Sequence, residues 1–135
     1  LEATGVLREV AGGIADIAGD NIWVLLLLIL WMSAFLSAFI DNVPFAATMV
    51  PVLRELANKG FPQHQMAYTL AMGADVGGNG TPIGASANVV GLSVAKRNGL
   101  DVSWGEYMKT GMSSMIFCMI IITGLIFIAV ETGWW

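Results

Sequence analysis

The 135-residue chain is 56% hydrophobic and 12% charged, and its net charge at pH 7 is −4. A soluble domain carries roughly twice that charged fraction, and no basic patch is present to bind nucleic acid. The composition therefore predicts an all-α integral membrane protein, multi-pass in the cell membrane, with the lipid bilayer as a partner. A single cysteine, Cys118, excludes an internal disulfide and a thiolate metal cluster.

The first predicted element is an amphipathic helix over residues 1–20. Leu7, Val10, Ile14 and Ile17 recur there at three- and four-residue steps, although a glycine pair in the middle weakens the helix. We expect this helix to lie in the membrane interface or to lead into the first membrane segment.

The second predicted element is a helical hairpin. Residues 21–40 are uncharged and long enough to reach across the roughly 30 Å hydrocarbon core. The sequence DNVP, which begins at Asp41, then breaks the run, and the apolar residues 45–53 that follow cover only about half a bilayer. Two arrangements are open: a re-entrant hairpin over residues 21–57 with DNVP at its tip, or a crossing first arm and an interfacial second arm. The short second arm favours the hairpin.

The third predicted element, residues 65–97, is a discontinuous transmembrane helix. Its middle, GADVGGNGTPIGASANVV from Gly73 to Val90, contains five glycines and one proline, which disfavour helix. It also contains several polar side chains, which are tolerated at membrane depth only when buried in protein or facing a wet cavity. A broken, polar segment of this kind in mid-bilayer is a candidate binding site.

A polar loop leads to the last predicted element, an uncharged helix over residues 110–131 that is long enough to span the bilayer. Trp104 and Tyr107 before it, and Trp134 and Trp135 after it, suit the membrane–water interface. The basic residues of the loop favour placing the loop in the cytoplasm.

The two breaks supply the candidate ligands. Unwinding a helix in the membrane exposes carbonyl groups at one cut end, which coordinate cations, and amides at the other, which attract anions. The polar side chains at the breaks are hard ligands that suit Na⁺, protons or an anion rather than soft transition metals. They belong to Asp41, Asn42, Asp75, Asn79, Thr81, Ser86 and Asn88. The alternative is that these groups only cap helix ends and join helices to each other.

Asp41 and Asp75 are the acids flanked on both sides by long apolar runs. A carboxylate desolvated in the membrane can carry a proton, so either residue is a candidate proton carrier. The alternative is an acid at the level of the interface.

The sequence does not indicate an enzyme. The glycine-rich GGNGT sequence lacks the GxxxxGK[ST] pattern and the lysine of a phosphate-binding loop. Ser86 has no base nearby in sequence, and the lone His64 lies in a polar connection. We expect no cofactor other than a coupling Na⁺ or H⁺.

The run GGNGTPIGASANVVGLSVAKRNG, residues 77–99, closely resembles a signature of the ion transporter superfamily. This superfamily includes arsenite exporters, citrate and dicarboxylate carriers, NhaD-type sodium/proton antiporters and P-protein-like carriers, and the run is most similar to the P-protein-like branch. SAFIDNVPFAATMVPVL, residues 37–53, resembles the family's hairpin. The resemblance implies two inverted repeats, each giving a re-entrant hairpin and a broken helix to a central site, and a transport domain that moves against a scaffold within a homodimer.

Because one hairpin and one broken helix are found, the resemblance implies that this chain is the C-terminal portion of a carrier, with the missing N-terminal repeat as its partner. It also implies that the coupling ion and substrate bind Asn42, Pro44, Asn79, Gly80, Thr81 and Pro82. The candidate ligands of a coupling Na⁺ are Asn42, Asn79, Gly80 and Thr81. Asp41 stands where related carriers often have serine, which favours proton or cation coupling.

Together these patterns predict part of a secondary active transporter, an antiporter or symporter. It would move a small inorganic or organic ion by alternating access, coupled to Na⁺ or H⁺. A passive ion channel is one alternative, which would neither saturate nor depend on the gradient of a second ion. A structural membrane subunit is another, and in it Asn79→Ala and Thr81→Ala would leave transport unchanged.

Overall fold

The computed structural model describes residues 5–135, apart from the side chains of residues 6–8. Residues 1–4 and the Leu7 side chain, which belong to the first predicted helix, therefore lie outside the described part. The described part is entirely helical, without a strand, which confirms the predicted all-α class. Its helices are α1 (Val6–Ala18), α2 (Ile22–Ser37), α3 (Asn42–Asn58), α4 (Gln63–Gly77), α5 (Ser86–Arg97) and α6 (Trp104–Glu131).

Helix α1 packs against α2 and α3 through Ala11, Ile14 and Ala18, all of them buried. Ile14 belongs to the buried face, but Val10 is 38% exposed and Ile17 is 69% exposed. The face of α1 that packs against α2 and α3 therefore consists mainly of small alanines, and the expectation that the helix lies in the membrane interface stays a prediction.

Helices α2 and α4 form the closest pair. A Cβ atom added to Gly73 would lie 2.5 Å from the Leu30 carbonyl oxygen, and one added to Gly77 would lie 2.2 Å from that of Ala34. Both contacts advance by one helical turn in the same direction, so the two helices run parallel. Their C-terminal ends therefore lie side by side, which decides where the two breaks meet.

Helix α3 runs antiparallel to α2 and α4. It begins at Asn42, whose side chain lies against Gly78 at the end of α4, and the turn after Asn58 leads directly back to the start of α4. Its 17 residues extend beyond the predicted apolar run. Pro44 lies in its first turn, where the missing N–H has no helical partner to lose. Whether α2 and α3 enter and leave the same side of a membrane stays a prediction.

Within residues 5–135, α6 is the one helix that is long and apolar enough to cross a membrane. It packs antiparallel to α2. Trp31 Nε1 donates to Thr123 Oγ1 at 3.2 Å, and the ring centroids of Trp23 and Phe127 are 4.7 Å apart. Much of its remaining surface is apolar and exposed, as a lipid-facing helix requires.

The N-terminus of α6 is closed by a capping box. Ser103 Oγ accepts from the Glu106 N–H, while the Glu106 carboxylate accepts from the Ser103 N–H at 2.9 Å. Ser103→Ala should cost about 1 kcal/mol of local stability. Amide hydrogen exchange of residues 104–107 should accelerate roughly fivefold, as that free energy implies. Ser113→Ala is the control, because the Ser113 hydroxyl donates to the Lys109 carbonyl within the same helix. Equal exchange in both variants would contradict the prediction.

Candidate site where two helix breaks meet

The structure brings together two interruptions that are about 40 residues apart in sequence. The α2–α3 junction comprises residues 38–41, and the α4–α5 break comprises residues 78–85. Because α2 and α4 are parallel, both interruptions lie at the same end of the helix pair. The side chains of the first then reach the backbone of the second.

Asn42 is the centre of this contact. With its amide oriented so that the nitrogen faces acceptors, Asn42 donates to Ser37 Oγ at 2.5 Å and to the carbonyl oxygens of Ala74 and Gly84, each at 3.1 Å. Ser37 Oγ in turn donates to the Ala74 carbonyl at 2.7 Å. A Cβ atom on Gly78 would lie within 2.6–2.9 Å of both terminal atoms of the Asn42 amide, so this position leaves room for the amide only as glycine. One side chain thereby joins α2, α3, α4 and the α4–α5 break.

Two further polar side chains brace the α4–α5 break from inside. Thr81 is fully buried and donates to the Ala38 carbonyl of the α2–α3 junction. Asn88 Nδ2 donates to the carbonyl oxygens of Gly78 at 2.8 Å and Thr81 at 3.1 Å. These bonds satisfy backbone groups that unwinding leaves without helical partners, as buried carbonyls require.

Asp41 connects the beginnings of α3 and α5. Its carboxylate accepts from the Val43 N–H at 3.4 Å, which caps α3, and from the hydroxyl of Ser86, the first residue of α5. The Asp41 residue is half-buried and Ser86 is exposed. The two residues therefore form a polar contact at the edge of the junction, not in its buried centre.

Asn79 is exposed and lines an open groove of about 630 Å³ between the break and the start of α6. Tyr107, Thr110 and Ser114 of α6 line this groove, together with the acids Asp101 and Glu106. Polar side chains therefore lead from the surface of the loop before α6 to the α4–α5 break.

The break is shorter than the sequence predicted. Helix α4 continues through Gly73 to Gly77, because these glycines pack against α2 and do not unwind the helix, and α5 already begins at Ser86. Asn88 therefore lies on a helix. Asp75 does too, and it is exposed, on the side away from the buried face that Ala74 contributes. Within residues 5–135 Asp75 is therefore exposed, and its role as a proton carrier stays a prediction.

The prolines and the remaining glycine of the predicted site differ in their surroundings. Pro44 is exposed at the start of α3, whereas Pro82 is buried in the break. Gly80 is buried against α6, where a Cβ atom would lie 2.8 Å from Met115 Sδ. Gly80 and Pro82 therefore contribute shape and backbone carbonyls to the break, and Pro44 lies at its margin.

The contacts with α6 give the position of the break along that helix. Gly111 is so close to the break that a Cβ atom there would lie 2.5 Å from the Asn79 carbonyl oxygen. The uncharged part of α6 is centred on Ile120. At 1.5 Å per residue, Gly111 and Met115 lie roughly 7–14 Å along the helix from that centre.

Sequence reasoning missed Ser37, Gly78 and Gly84 as parts of this site. A usable signal was present: small residues recur four apart at the end of α2, as Ala34 and the C-cap residue Ala38, and on α4, as Gly73 and Gly77. Small residues at this spacing let membrane helices approach closely. The glycines had been interpreted as helix breakers instead.

Comparison with known proteins identifies the family. The model of the citrate transporter family matches residues 1–133 of the chain. The chain belongs to the citrate transporter family. The resemblance to ion transporters is confirmed, and the protein is a membrane transporter homologue. No solved structure matches it.

One curated relative is the human P protein, which is 42% identical to this chain over 113 residues. The matched region covers 81% of this chain and 14% of the P protein. An uncharacterised transporter of Mycobacterium bovis is 44% identical over 114 residues, which are 82% of this chain and 27% of the relative. A 46 kDa membrane protein of Mycobacterium leprae is 38% identical over 116 residues, 84% of this chain and 27% of the relative. The chain thus spans about a quarter or less of these relatives.

Proposed function

We propose that this chain is the C-terminal portion of a secondary active transporter that binds a small ion where the two breaks meet. Transport proceeds by alternating access and is coupled to Na⁺ or H⁺. The observation that carries the proposal is the convergence of the α2–α3 junction and the α4–α5 break around Asn42. Two helix interruptions that share one polar centre in a membrane protein are a typical transporter binding site.

The chemistry available at this centre suits hard ions. Backbone carbonyls of the break and the oxygen of the Asn42 amide are ligands for Na⁺, and the helix N-termini of α3 and α5 attract negative charge. The family description names citrate, so citrate is a candidate anion for this chain too. Na⁺ and H⁺ are the candidate coupling ions.

The depth of the site is part of the proposal. With the uncharged part of α6 centred in the bilayer, the break lies between the centre and the face that carries the loop before α6. Mid-bilayer was the expectation from sequence alone, and the contact with Gly111 supports a position nearer that face. The groove above Asn79 would then be the route by which solute reaches the site from that side.

The rest of the transporter would complete the site. Helix α5 has no buried residue, and its side chains Val89, Val90 and Val94 are 47%, 61% and 51% exposed. A missing N-terminal repeat packing there, and a homodimer of the whole carrier, fit the resemblance stated above. The α2–α3 pair would be the re-entrant hairpin of this half.

Uptake into proteoliposomes by the full-length transporter tests the coupling. Labelled Na⁺ and citrate are supplied separately, with an imposed Na⁺ gradient, an imposed H⁺ gradient or no gradient. A carrier saturates and accelerates when the gradient of the coupling ion is present. Uptake that stays proportional to solute concentration and ignores both gradients would make the protein a channel.

Asn79→Ala is the variant that separates a binding role from a structural one. Asn79 is exposed and faces the groove, so its loss should leave the melting temperature unchanged while uptake falls about tenfold, the effect of one lost hydrogen bond to an ion. Thr81→Ala should lower both uptake and stability, because the buried bond to the Ala38 carbonyl is lost as well.

Asn58→Ala, at the exposed end of α3, is the control for Asn79→Ala and should transport normally. If Asn79→Ala transports as well as this control, the groove and the break do not contact solute. The structural alternative would then be preferred.

A further inference from the structure

The beginnings of two helices converge on the carboxylate of Asp41. Asp41 is the N-cap residue of α3 and accepts from the Val43 N–H. The same carboxylate accepts from the hydroxyl of Ser86 and also lies beside the Ser86 backbone amide, at the first turn of α5. These two helices are separated by 27 residues in the chain, so the convergence is tertiary.

Helix α5 has no cap of its own. Its N-cap residue is Ala85, and no side chain of the cap position bonds the first turn. The first amides of a helix carry partial positive charge and attract anions. Asp41, supplied by another helix, therefore gives α5 the negative charge that a local Ser, Thr or Asp would otherwise give.

We propose that Asp41 is a tethered anion that fills the position where the N-termini of α3 and α5 would otherwise hold a free anion. In this conformation a carboxylate or inorganic anion in solution meets a position that is already occupied and negatively charged. Among the candidate ions, a cation, Na⁺ or H⁺, is therefore favoured at the junction over citrate. This consequence for the substrate rests on the proposed function, whereas the occupancy of the anion position does not.

Formate rescue of Asp41→Ala tests the occupancy directly. Formate is a carboxylate without a tether and fits where the Asp41 carboxylate was. In the full-length protein, amide hydrogen exchange at Val43 and at residues 86–88 should become about threefold to tenfold faster in Asp41→Ala, and formate should restore the protection. Gluconate at the same concentration is the control for ionic strength, because it is too large for this position.

Asp16→Ala is the matched variant, since it removes an exposed acid from α1 and should show neither faster exchange at these amides nor a formate effect. Asp41→Ser gives the same test if the alanine variant does not fold. Formate protection in both Asp41 variants and not in the wild type supports the proposal. The absence of formate protection in the variants, or equal protection in the wild type, overturns it.

A transport measurement tests the consequence for the substrate. Citrate should not slow Na⁺ uptake by the wild type but should slow it several-fold in Asp41→Ser, where the anion position is open. If citrate competes equally in both proteins, the consequence for the substrate is wrong even when formate rescue succeeds. If neither protein transports Na⁺ or citrate, the proposed function fails, while the exchange experiment still decides the occupancy.

Discussion

Replacing Gly77 by alanine is expected to force α2 and α4 apart and to lower the free energy of unfolding by about 3 kcal/mol, the upper part of the usual range for overpacking. A Cβ atom at this position would lie 2.2 Å from the Ala34 carbonyl oxygen and 2.4 Å from the Ala34 Cα. Both are backbone atoms of a packed helix, so no flexible side chain can move aside. Thermal unfolding of the purified full-length protein in detergent would measure the loss.

Gly91→Ala on α5 and Gly124→Ala on α6 are the matched controls for Gly77→Ala. Both glycines are helical, and a Cβ atom at either would meet nothing within 4 Å. Alanine is the better helix former, so these variants should melt at or slightly above the wild-type temperature. If Gly77→Ala melts with them, the parallel α2–α4 contact does not exist in the membrane protein.

Replacing Asn42 by alanine is expected to abolish transport and also to destabilise the junction. The carbonyl groups of Ala74 and Gly84 would lose a donor, and the Ser37 hydroxyl would lose a partner. Leaving a buried polar group unpaired costs about 1–3 kcal/mol. Each 1.4 kcal/mol of binding free energy lost at the site lowers the affinity for the ion about tenfold. Uptake by the full-length transporter should therefore fall at least about tenfold.

Asn98→Ala is the control for Asn42→Ala, because the Asn98 amide is exposed and donates to the Val94 carbonyl of its own helix end. Asn42→Asp is the informative second variant. A carboxylate has the same shape but no N–H to donate, so it should fail as badly as alanine. If Asn42→Asp retains wild-type uptake, the three donated bonds are not what holds the two breaks together.

Much of the site could be anticipated from local composition. An uncharged run, a DNVP tetrapeptide and a glycine-rich polar stretch are each incompatible with one continuous membrane helix, whatever surrounds them. The prediction of two breaks, with Asn42 and Thr81 among seven candidate polar ligands, follows from that local incompatibility.

The errors have a common physical origin. Gly73 and Gly77 were interpreted as helix breakers because isolated glycine weakens a helix by about 1 kcal/mol. In the fold this cost is outweighed by close packing against the α2 backbone, and that packing depends on a partner helix about 40 residues away. The exposure of Asp75 has the same cause, because its side of α4 faces away from that partner.

The sequence by itself determined that the chain is helical, apolar and interrupted at two polar places, since these properties depend on each residue's own backbone preferences and solvation. Only the tertiary structure decided that the two interruptions touch. Two neighbouring helices can pack parallel or antiparallel, and nothing in the local sequence distinguishes the two. Only the parallel arrangement places both interruptions at the same end of the helix pair. The choice is made by the glycine contacts that set α2 and α4 parallel, and from it follow the bonds of Asn42, the position of Asp41 between α3 and α5, and the groove above Asn79.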